Sequence, residues 1–291
     1  MSICMPRRTA KLGAIAAVMA ALMNSATWAE ETERGIEHIA GDLYRFQNQY
    51  HHSVLLVTPE GVIVTDPINS EAAAWLKDEI DRRFALPIKY LIYSHDHIDH
   101  IAGGEVFTAA GAVVVAHENT KQAIVKREWS IPVPQITFSD AMTLELGGKA
   151  VELTYAGESY SQSLIVMRFP DEKALFTADL VTVRRLPFET LEDSYFPQWI
   201  DAIRQVEAMD FQILVPGHGQ LGTKADASDH RAYLEDLYTA VLEGVRKGLS
   251  LEEMQDTITL DQYEDWIQYE DWRRMNVEGM YNQLRTLQVA D

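Results

Sequence analysis

One short stretch of this chain concentrates the side chains that proteins use to bind metal ions. Residues 94–100 read Ser-His-Asp-His-Ile-Asp-His, so three imidazoles and two carboxylates fall within six residues. Neutral imidazole and carboxylate are the usual ligands of zinc, iron and manganese. Because a solvated loop has no use for this density, the stretch predicts a metal site rather than a polar cap on the following helix.

The spacing within this stretch favours two neighbouring ions. Alternate residues of an extended segment point the same way, so His95 and His97 can share a first ion. Asp99 and His100 lie one turn further along the chain and can bind a second ion next to the first. Two adjacent cations can share a water molecule and lower its pKa towards neutrality, which gives hydroxide at pH 7.

Strands and helices alternate around this stretch. A buried strand over residues 88–93 leads into it, and the β-branched runs at 53–58 and 62–65 predict a hairpin. Apolar residues that share one face predict a helix over 70–84, with Ser70 as its N-cap. Period-2 strands that alternate with period-3.6 helices predict two mixed sheets covered by helices, an α/β layered architecture.

The last part of the chain has a different pattern. From Ala225 onward the periodicity is helical throughout, and four aromatic residues follow one another at intervals of three: Tyr263, Trp266, Tyr269 and Trp272. We expect these aromatic residues to pack the helical tail against the core, with a wall for substrate as the alternative.

The N-terminal segment has the order of features found in secretory signals. Three basic residues precede an uncharged run over 12–23, and small residues follow up to Ala29. The apolar run is shorter than the roughly 20 residues that a membrane span needs. We therefore expect a periplasmic or secreted protein with a signal peptide over 1–29, a main domain over 30–224 and a helical extension over 225–291.

Composition narrows the class of protein. The chain has 291 residues, of which 47% are hydrophobic and 24% charged, which is ordinary for a globular protein with a sizeable core. A formal net charge of −19 argues against a nucleic-acid partner, because phosphates would be repelled. The single cysteine, Cys4, excludes an internal disulfide framework and a thiolate zinc site. The expected partner is a small-molecule substrate, with no membrane span; the oligomeric state is open.

The order of motifs along the chain resembles that of the metallo-β-lactamase superfamily, which includes glyoxalase II, lactonases and alkylsulfatases. The pattern His-x-His-x-Asp-His at 95–100 is similar to the signature of that family. Residues 61–66 resemble its early strand with a buried terminal Asp, residues 176–180 its metal-bridging Asp, and residues 215–219 its last metal-binding His. The resemblance covers roughly residues 36–222 and implies a four-layer αββα sandwich with the metals at one sheet edge.

The resemblance also implies a ligand set. It assigns His95 and His97 to the first metal, Asp99, His100 and His218 to the second, and Asp179 to a bridge between them. Asp99 would in addition orient the nucleophile or accept its proton. The implied cofactor is Zn²⁺, as one or two ions, with iron or manganese as alternatives.

One position departs from the family pattern. The family has a third His for the first metal in a Gly-His-Thr/Ser stretch shortly before a strand, and aligning this chain on Leu164 places Ser159 there. A neutral hydroxyl is a poor zinc ligand. Three outcomes are open: Glu158 supplies a carboxylate ligand, His51 or His52 supplies the missing imidazole, or the second site alone holds metal. We favour Glu158 because it is adjacent to the missing ligand.

These observations together predict an exported metal-dependent hydrolase that cleaves an ester, lactone, thioester or amide by metal-bound hydroxide. The alternative is a catalytically degenerate periplasmic protein that binds a metal or a ligand on the same fold, because the first site is incomplete. An oxygen-using iron enzyme is a third possibility, disfavoured because the mono-iron relatives also use the third His.

Overall fold

The structure is a computed structural model that describes Met1 and residues 33–289. Apart from Met1, the predicted signal peptide over 1–29 lies outside the described residues, and it stays a prediction. Of the described residues, 33–289 belong to one compact unit.

Seven strands form the first sheet in the order in which they occur along the chain. They are β1 (Arg34–Ala40), β2 (Leu43–Asn48), β3 (His51–Thr58), β4 (Gly61–Thr65), β5 (Ile88–Ile92), β6 (Val113–His117) and β7 (Ile136–Phe138). β1 to β4 pair antiparallel, and the predicted hairpin of β3 and β4 is confirmed. β4 to β7 pair parallel, so β4 and β5 end at the same edge of the sheet.

Five strands form the second sheet in the order β12-β11-β10-β9-β8. They are β8 (Ala141–Leu146), β9 (Lys149–Tyr155), β10 (Ile165–Phe169), β11 (Ala174–Ala178) and β12 (Ile213–Pro216). β11 and β12 pair parallel, whereas the other neighbours are antiparallel. The carboxyl ends of β11 and β12 therefore lie side by side.

The helices of the described chain join and cover these sheets. They are α1 (Ser70–Phe84), α2 (Ile98–Ile101), α3 (Gly104–Ala109), α4 (Glu118–Lys126), α5 (Gln198–Ala208), α6 (Lys224–Arg246), α7 (Leu251–Thr257) and α8 (Tyr269–Val289), with a 3₁₀ turn at Asp261–Tyr263. α1 has the predicted bounds, but Asn69 rather than Ser70 is its N-cap. The Asn69 side-chain oxygen accepts the Ala72 N–H, which would otherwise have no partner at the helix start.

Successive side chains along each strand point to opposite faces of its sheet, and apolar side chains are buried on both faces of both sheets. In β4, Val62 and Val64 face the layer of α1 and α3, while Ile63 faces the other sheet. In β11, Phe176 faces the first sheet, while Leu175 faces the layer of α5 and α6. Three apolar layers thus separate helix, sheet, sheet and helix, which confirms the predicted αββα sandwich.

The helices α6 to α8 form the predicted C-terminal helical region. Tyr263, Trp266 and Tyr269 are buried in the apolar layer under α5 and α6, so the expectation that they pack the tail onto the core is confirmed for these three. Trp272 is only partly buried, and it lines a cavity described below. No helix within the described residues has the length and apolarity needed to cross a bilayer.

Asn276 joins α8 to the loop between β11 and α5. Its side chain is fully buried and donates to the carbonyl oxygens of Pro187 and Glu189, at 3.0 and 2.6 Å. Its amide oxygen accepts the Tyr233 hydroxyl of α6 at 2.6 Å. One side chain therefore holds two elements and a loop together.

We expect Asn276→Ala to lower the free energy of unfolding by about 2 kcal/mol, because it leaves buried polar groups without partners. Asn282→Ala on the exposed side of the same helix is the matched control, with an expected change below about 0.5 kcal/mol. Urea unfolding measures both changes. Equal stability of the two variants would contradict the proposed role of Asn276.

Candidate metal centre

Loops at one edge of the two sheets bring the candidate residues together. The stretch 94–100 follows β5, Asp179 follows β11 directly, and His218 follows β12. His51 opens β3 at the same edge, where the His52 N–H donates to the Gly217 carbonyl at 2.7 Å. Segments distant in sequence therefore meet because parallel strands end at the same edge.

Asp179 lies at the middle of this cluster. Its Oδ1 is 3.2 Å from His100 Nε2 and 3.5 Å from His218 Nε2. Its Oδ2 is 3.8 Å from His95 Nε2. The two oxygens thus face different imidazoles, which is the arrangement of a carboxylate that bridges two cations.

Each of these three imidazoles uses Nδ1 to bind the protein and turns Nε2 to the centre. His100 Nδ1 donates to Asp66 Oδ2 at 3.0 Å, and His218 Nδ1 donates to the Tyr50 carbonyl at 2.9 Å. His95 Nδ1 is 2.9 Å from Ser94 Oγ, whose own proton goes to Asp66 at 2.6 Å. These bonds fix the ring orientations and direct the three Nε2 atoms to the place where a cation would bind.

Several polar atoms at the centre are buried without a hydrogen bond. Among the described residues, His95 Nε2, His100 Nε2 and Asp179 Oδ1 have no hydrogen-bond partner. Buried polar atoms in proteins are normally paired, and such a set of nitrogen and oxygen donors fits a divalent cation. The residues present therefore fit the metal that their types predict.

The charges of the metal-free centre are set by mutual contacts. Burial lowers the pKa of His100, but Asp179 and Asp66 outweigh that effect and hold it well above its usual value. Burial also acts to raise the pKa of Asp179, yet His100 and His218 hold it well below its usual range. For His95, burial and the neighbouring imidazoles lower the pKa well below the ordinary value. The surroundings of His95 thus favour its neutral form, whereas those of His100 favour its protonated form beside Asp179.

Gly217 permits the close approach of these groups. A Cβ at this position would lie 2.6 Å from Asp179 Oδ1 and 3.0 Å from His100 Cε1. Any side chain there would push into the centre, so the loop that carries His218 can pass this close only with glycine.

The cluster divides into groups that could each hold an ion. Within the described residues, three sets offer ligand atoms within 4.8 Å of one another: His95, His97 and Asp179; His100, Asp179 and His218; and His51, Asp99 and His218. We call His95 and His97 the first subsite, and Asp99, His100 and His218 the second subsite, with Asp179 shared. The structure thus brings all six of the principal predicted ligands together.

Asp96, the remaining carboxylate of the motif, turns away from the centre. It pairs with Arg127 at 2.9 Å and accepts the Ser163 hydroxyl at 2.6 Å. Its role is to join the motif to the second sheet through β10, which begins two residues after Ser163.

The structure does not bring Glu158 to the cluster, so the preference for it as the replacement ligand is not met. Glu158 is exposed, and it belongs to none of the three groups of possible ligands found within the described residues. Ser159 is buried, but its hydroxyl donates to the Gly157 carbonyl at 3.1 Å.

Tyr160 lies beside the first subsite instead. Its ring centroid is 5.9 Å from that of His95 and 5.2 Å from that of His97. Burial and then the nearby Asp179 carboxylate raise the pKa of Tyr160 well above its usual value. The sequence contained a signal for this residue, since Tyr160 is the one aromatic in the run between Gly157 and Leu164.

Of the two histidines at the start of β3, only His51 joins the cluster. Its Nε2 is 3.1 Å from Asp99 Oδ2, and this contact lowers the pKa of Asp99 against the effect of burial. His52 is buried and belongs to none of the three groups, and burial together with Arg45 lowers its pKa to about 3.

A cavity of about 670 Å³ opens above the centre. The centre contributes one side, including Asp99, Asp179 and His218, and the C-terminal region contributes another through Ile267 and Trp272. The loop that follows Asp179 completes the wall with residues 185–190 and 192–193.

Backbone bonds hold the C-terminal part of the wall in place. The Leu186 N–H donates to the Ile267 carbonyl at 3.0 Å, and the Ile267 N–H donates to the Arg184 carbonyl at 2.9 Å. The Arg185 guanidinium lies 4.8 Å from the centroid of Trp272, and Phe188 meets that ring edge-on at 5.2 Å. The sequence analysis kept a wall for substrate as the alternative role of the tail aromatics, and Trp272 takes that place; the loop that it meets was not predicted, because nothing in the tail indicates it.

Comparison with known proteins agrees with this geometry. The family model described as the metallo-beta-lactamase superfamily matches residues 48–218, which is more than half of the chain. The chain therefore belongs to the metallo-β-lactamase superfamily, and the resemblance inferred from its motifs is confirmed. The region from α6 onward lies beyond the matched residues.

Individual relatives are similar to this chain in sequence, and solved structures are similar to it in fold. The chain is 24% identical to the 2,4-dinitroanisole O-demethylase subunit alpha of Nocardioides sp. (strain JS1661), over 76% of this chain and 68% of that protein. It is 26% identical to the metallo-beta-lactamase type 2 of Elizabethkingia meningoseptica, over 65% of this chain and 80% of that protein. The fold is similar to a metallo-beta-lactamase from Pontibacter korlensis, with a TM-score of 0.64, 24% identity, and coverage of 70% of this chain and 99% of that one. For the DIM-1 metallo-beta-lactamase the TM-score is 0.61 at 20% identity, with coverage of 69% of this chain and 96% of that one.

Metal binding should release protons. His100 is protonated in the metal-free protein because its pKa is raised, and an ion at the second subsite must displace that proton. We expect release of about one proton at pH 7 for the ion that binds at the second subsite, and an affinity of that subsite for Zn²⁺ that rises about tenfold per pH unit below the pKa of His100. Calorimetric titration in two buffers of different ionisation enthalpy measures this release. Binding without proton release would contradict the assigned charge of His100.

Proposed function

We propose that this chain is an exported, zinc-dependent hydrolase that cleaves an ester, lactone, thioester or amide bond in a small molecule. Membership of the superfamily supports a metal-dependent hydrolase in general terms. The choice of zinc, the bond and the location outside the cytoplasm are parts of the proposal. The relatives carry names as different as metallo-beta-lactamase and O-demethylase, so the fold by itself does not select the bond.

The observation that carries the proposal is the placement of Asp179. Its carboxylate is 6% exposed, and its oxygens are directed to imidazoles that are fixed through their other nitrogens. Divalent ions held there would lower the pKa of water and polarise a carbonyl oxygen, which is the chemistry that hydrolysis needs. A cluster of this kind at the base of a cavity is placed to act on a bound molecule.

Two carboxylates of the chain, Asp99 and Asp66, have separate roles in the proposed reaction. The side chain of Asp99 is 46% exposed, so it is the carboxylate of the centre that a substrate or water can reach. Its lowered pKa keeps it ionised, and an ionised carboxylate at this position can orient the nucleophile and accept its proton. Asp66 acts as a positioning residue through Ser94 and His100.

The cavity supports a substrate with an apolar part. Opposite the centre, the wall includes Leu186, Phe188, Ile267 and Trp272, and such a surface binds a flat or aliphatic group by excluding water. The polar end of the substrate would face Asp99 and the metal. This orientation places the scissile bond at the base of the cavity.

Export is supported by the N-terminal sequence alone. A basic start, a short apolar run and small residues up to Ala29 are typical of a cleaved signal. Cleavage there would remove Cys4, and a cysteine-free protein suits an oxidising compartment.

The test is elemental analysis of the purified protein together with hydrolysis assays on chromogenic esters, lactones and cephalosporins, with and without a chelator. We expect bound zinc and activity that the chelator abolishes and added Zn²⁺ restores. His100→Ala should lose metal and at least 100-fold in kcat/KM, because it removes a ligand and takes one partner each from Asp66 and Asp179. Glu158→Ala is the matched control, since the exposed carboxylate lies outside the cluster.

Two outcomes would contradict the proposal. Metal binding without turnover of any bond class would favour the alternative of a binding protein on the same fold. Activity that survives complete removal of metal would exclude the metal-dependent mechanism.

Trp272→Ala tests the apolar wall with chromogenic aryl esters of increasing acyl length. We expect KM for the longest acyl chains to rise about tenfold, which is about 1.4 kcal/mol, with kcat changed less than twofold. Trp75→Ala serves as a control, because Trp75 stacks on Phe46 in the opposite apolar layer. An equal effect of the two variants, or one independent of acyl length, would contradict the assignment of Trp272 to the substrate site.

A further inference from the structure

The donor atoms are distributed unequally between the two subsites. The first subsite has His95 and His97 with the shared Asp179, and Tyr160 lies beside it. The second subsite has His100 and His218 with the same shared carboxylate, and Asp99 Oδ2 lies 3.9 Å from His100 Nε2. It therefore already has more nitrogen and oxygen donors and one more negative charge than the first.

His51 adds to this imbalance. His51, Asp99 and His218 each offer one ligand atom, and these three atoms lie within 4.8 Å of one another. His51 Nε2 is 3.1 Å from Asp99 Oδ2, and the ring centroids of His51 and His218 are 4.7 Å apart. Ligand atoms around a tetrahedral zinc ion with bonds of about 2.1 Å are about 3.4 Å apart, so this spacing suits two ligands of one ion.

The position of His51 is fixed by the backbone. It is the first residue of β3, and the next residue is tied to Gly217 in the loop that carries His218. Its side chain is 26% exposed, and it lies on the cavity wall beside the ligands of the second subsite. The imidazole thus reaches the second subsite from a regular strand.

We propose that the high-affinity metal site of this chain is the second subsite, where His51 serves as an additional imidazole ligand beside Asp99, His100 and His218. The first subsite, where a phenol lies beside the two imidazoles, then binds a second ion more weakly. This inference rests on the proposed function only in requiring that the chain binds a divalent metal.

The test begins with Zn²⁺ titration of the metal-free full chain against a chromophoric chelator. We expect one tight equivalent in the unmodified protein and a second that is at least tenfold weaker. His51→Ala should weaken the tight equivalent at least tenfold, as expected for loss of a ligand or its partner. Tyr160→His should strengthen the weaker equivalent at least tenfold by giving the first subsite a third imidazole.

A control and a spectroscopic count separate ligation from a hydrogen bond to Asp99. His38→Ala removes an exposed imidazole that contacts the Gly41 carbonyl away from the cluster, and it should change neither equivalent. With one equivalent of Co²⁺, we expect three hyperfine-shifted imidazole N–H resonances in the unmodified protein and two in His51→Ala. Thermal unfolding of each metal-free variant checks that it is folded, and His51→Gln replaces His51→Ala if the latter is not.

The results that overturn the inference differ from those that overturn the proposed function. Two equivalents of equal affinity would overturn the claim that one subsite binds more tightly. An unchanged tight equivalent in His51→Ala, or only two shifted resonances in the unmodified protein, would exclude His51 as a ligand of the tight site. In all three cases a metal-dependent hydrolase would still stand. Conversely, a tight His51-dependent ion without hydrolysis would leave the inference intact and remove the proposed function, whereas a protein that binds no metal would remove both.

Discussion

The arrangement of this protein's candidate site depends on one buried carboxylate. Asp179 is surrounded by imidazoles at the point where the two sheets meet, and burying an ionised group is costly unless it is paired. Asp179 and Asp66 raise the pKa of His100, which favours a proton on this imidazole and with it part of that pairing. A divalent cation would supply it more completely, so the electrostatics of the fold favour metal binding.

The surrounding structure fixes the groups that face this carboxylate. Asp66, at the end of β4, binds both Ser94 and His100, so a single side chain orients two neighbours of the centre from behind. Gly217 lets the last loop come within contact of Asp179. Precision at the centre therefore comes from groups that do not themselves face the cavity.

The C-terminal helices extend the superfamily fold beyond the residues that the family model matches. They pack on α5 through buried aromatics, and they are bonded to the loop after Asp179 at Ile267 and Asn276. One consequence is structural, because the loop gains fixed partners. The other is functional, because Trp272 becomes part of the cavity wall.

The sequence by itself determined the layered α/β class, the metal-binding character of residues 95–100 and the helical nature of the tail, because these depend on local periodicity and on residue types that are close in the chain. Tertiary structure alone decided the neighbours of the first subsite. Which side chain of the run 157–164 turns inward depends on the path of a loop, and the loop turns Tyr160 towards His95 and His97 while Glu158 stays exposed. The same holds for His51 and Trp272, since contacts between segments more than 40 residues apart are set by how sheets and helices pack and leave no periodic trace in the sequence.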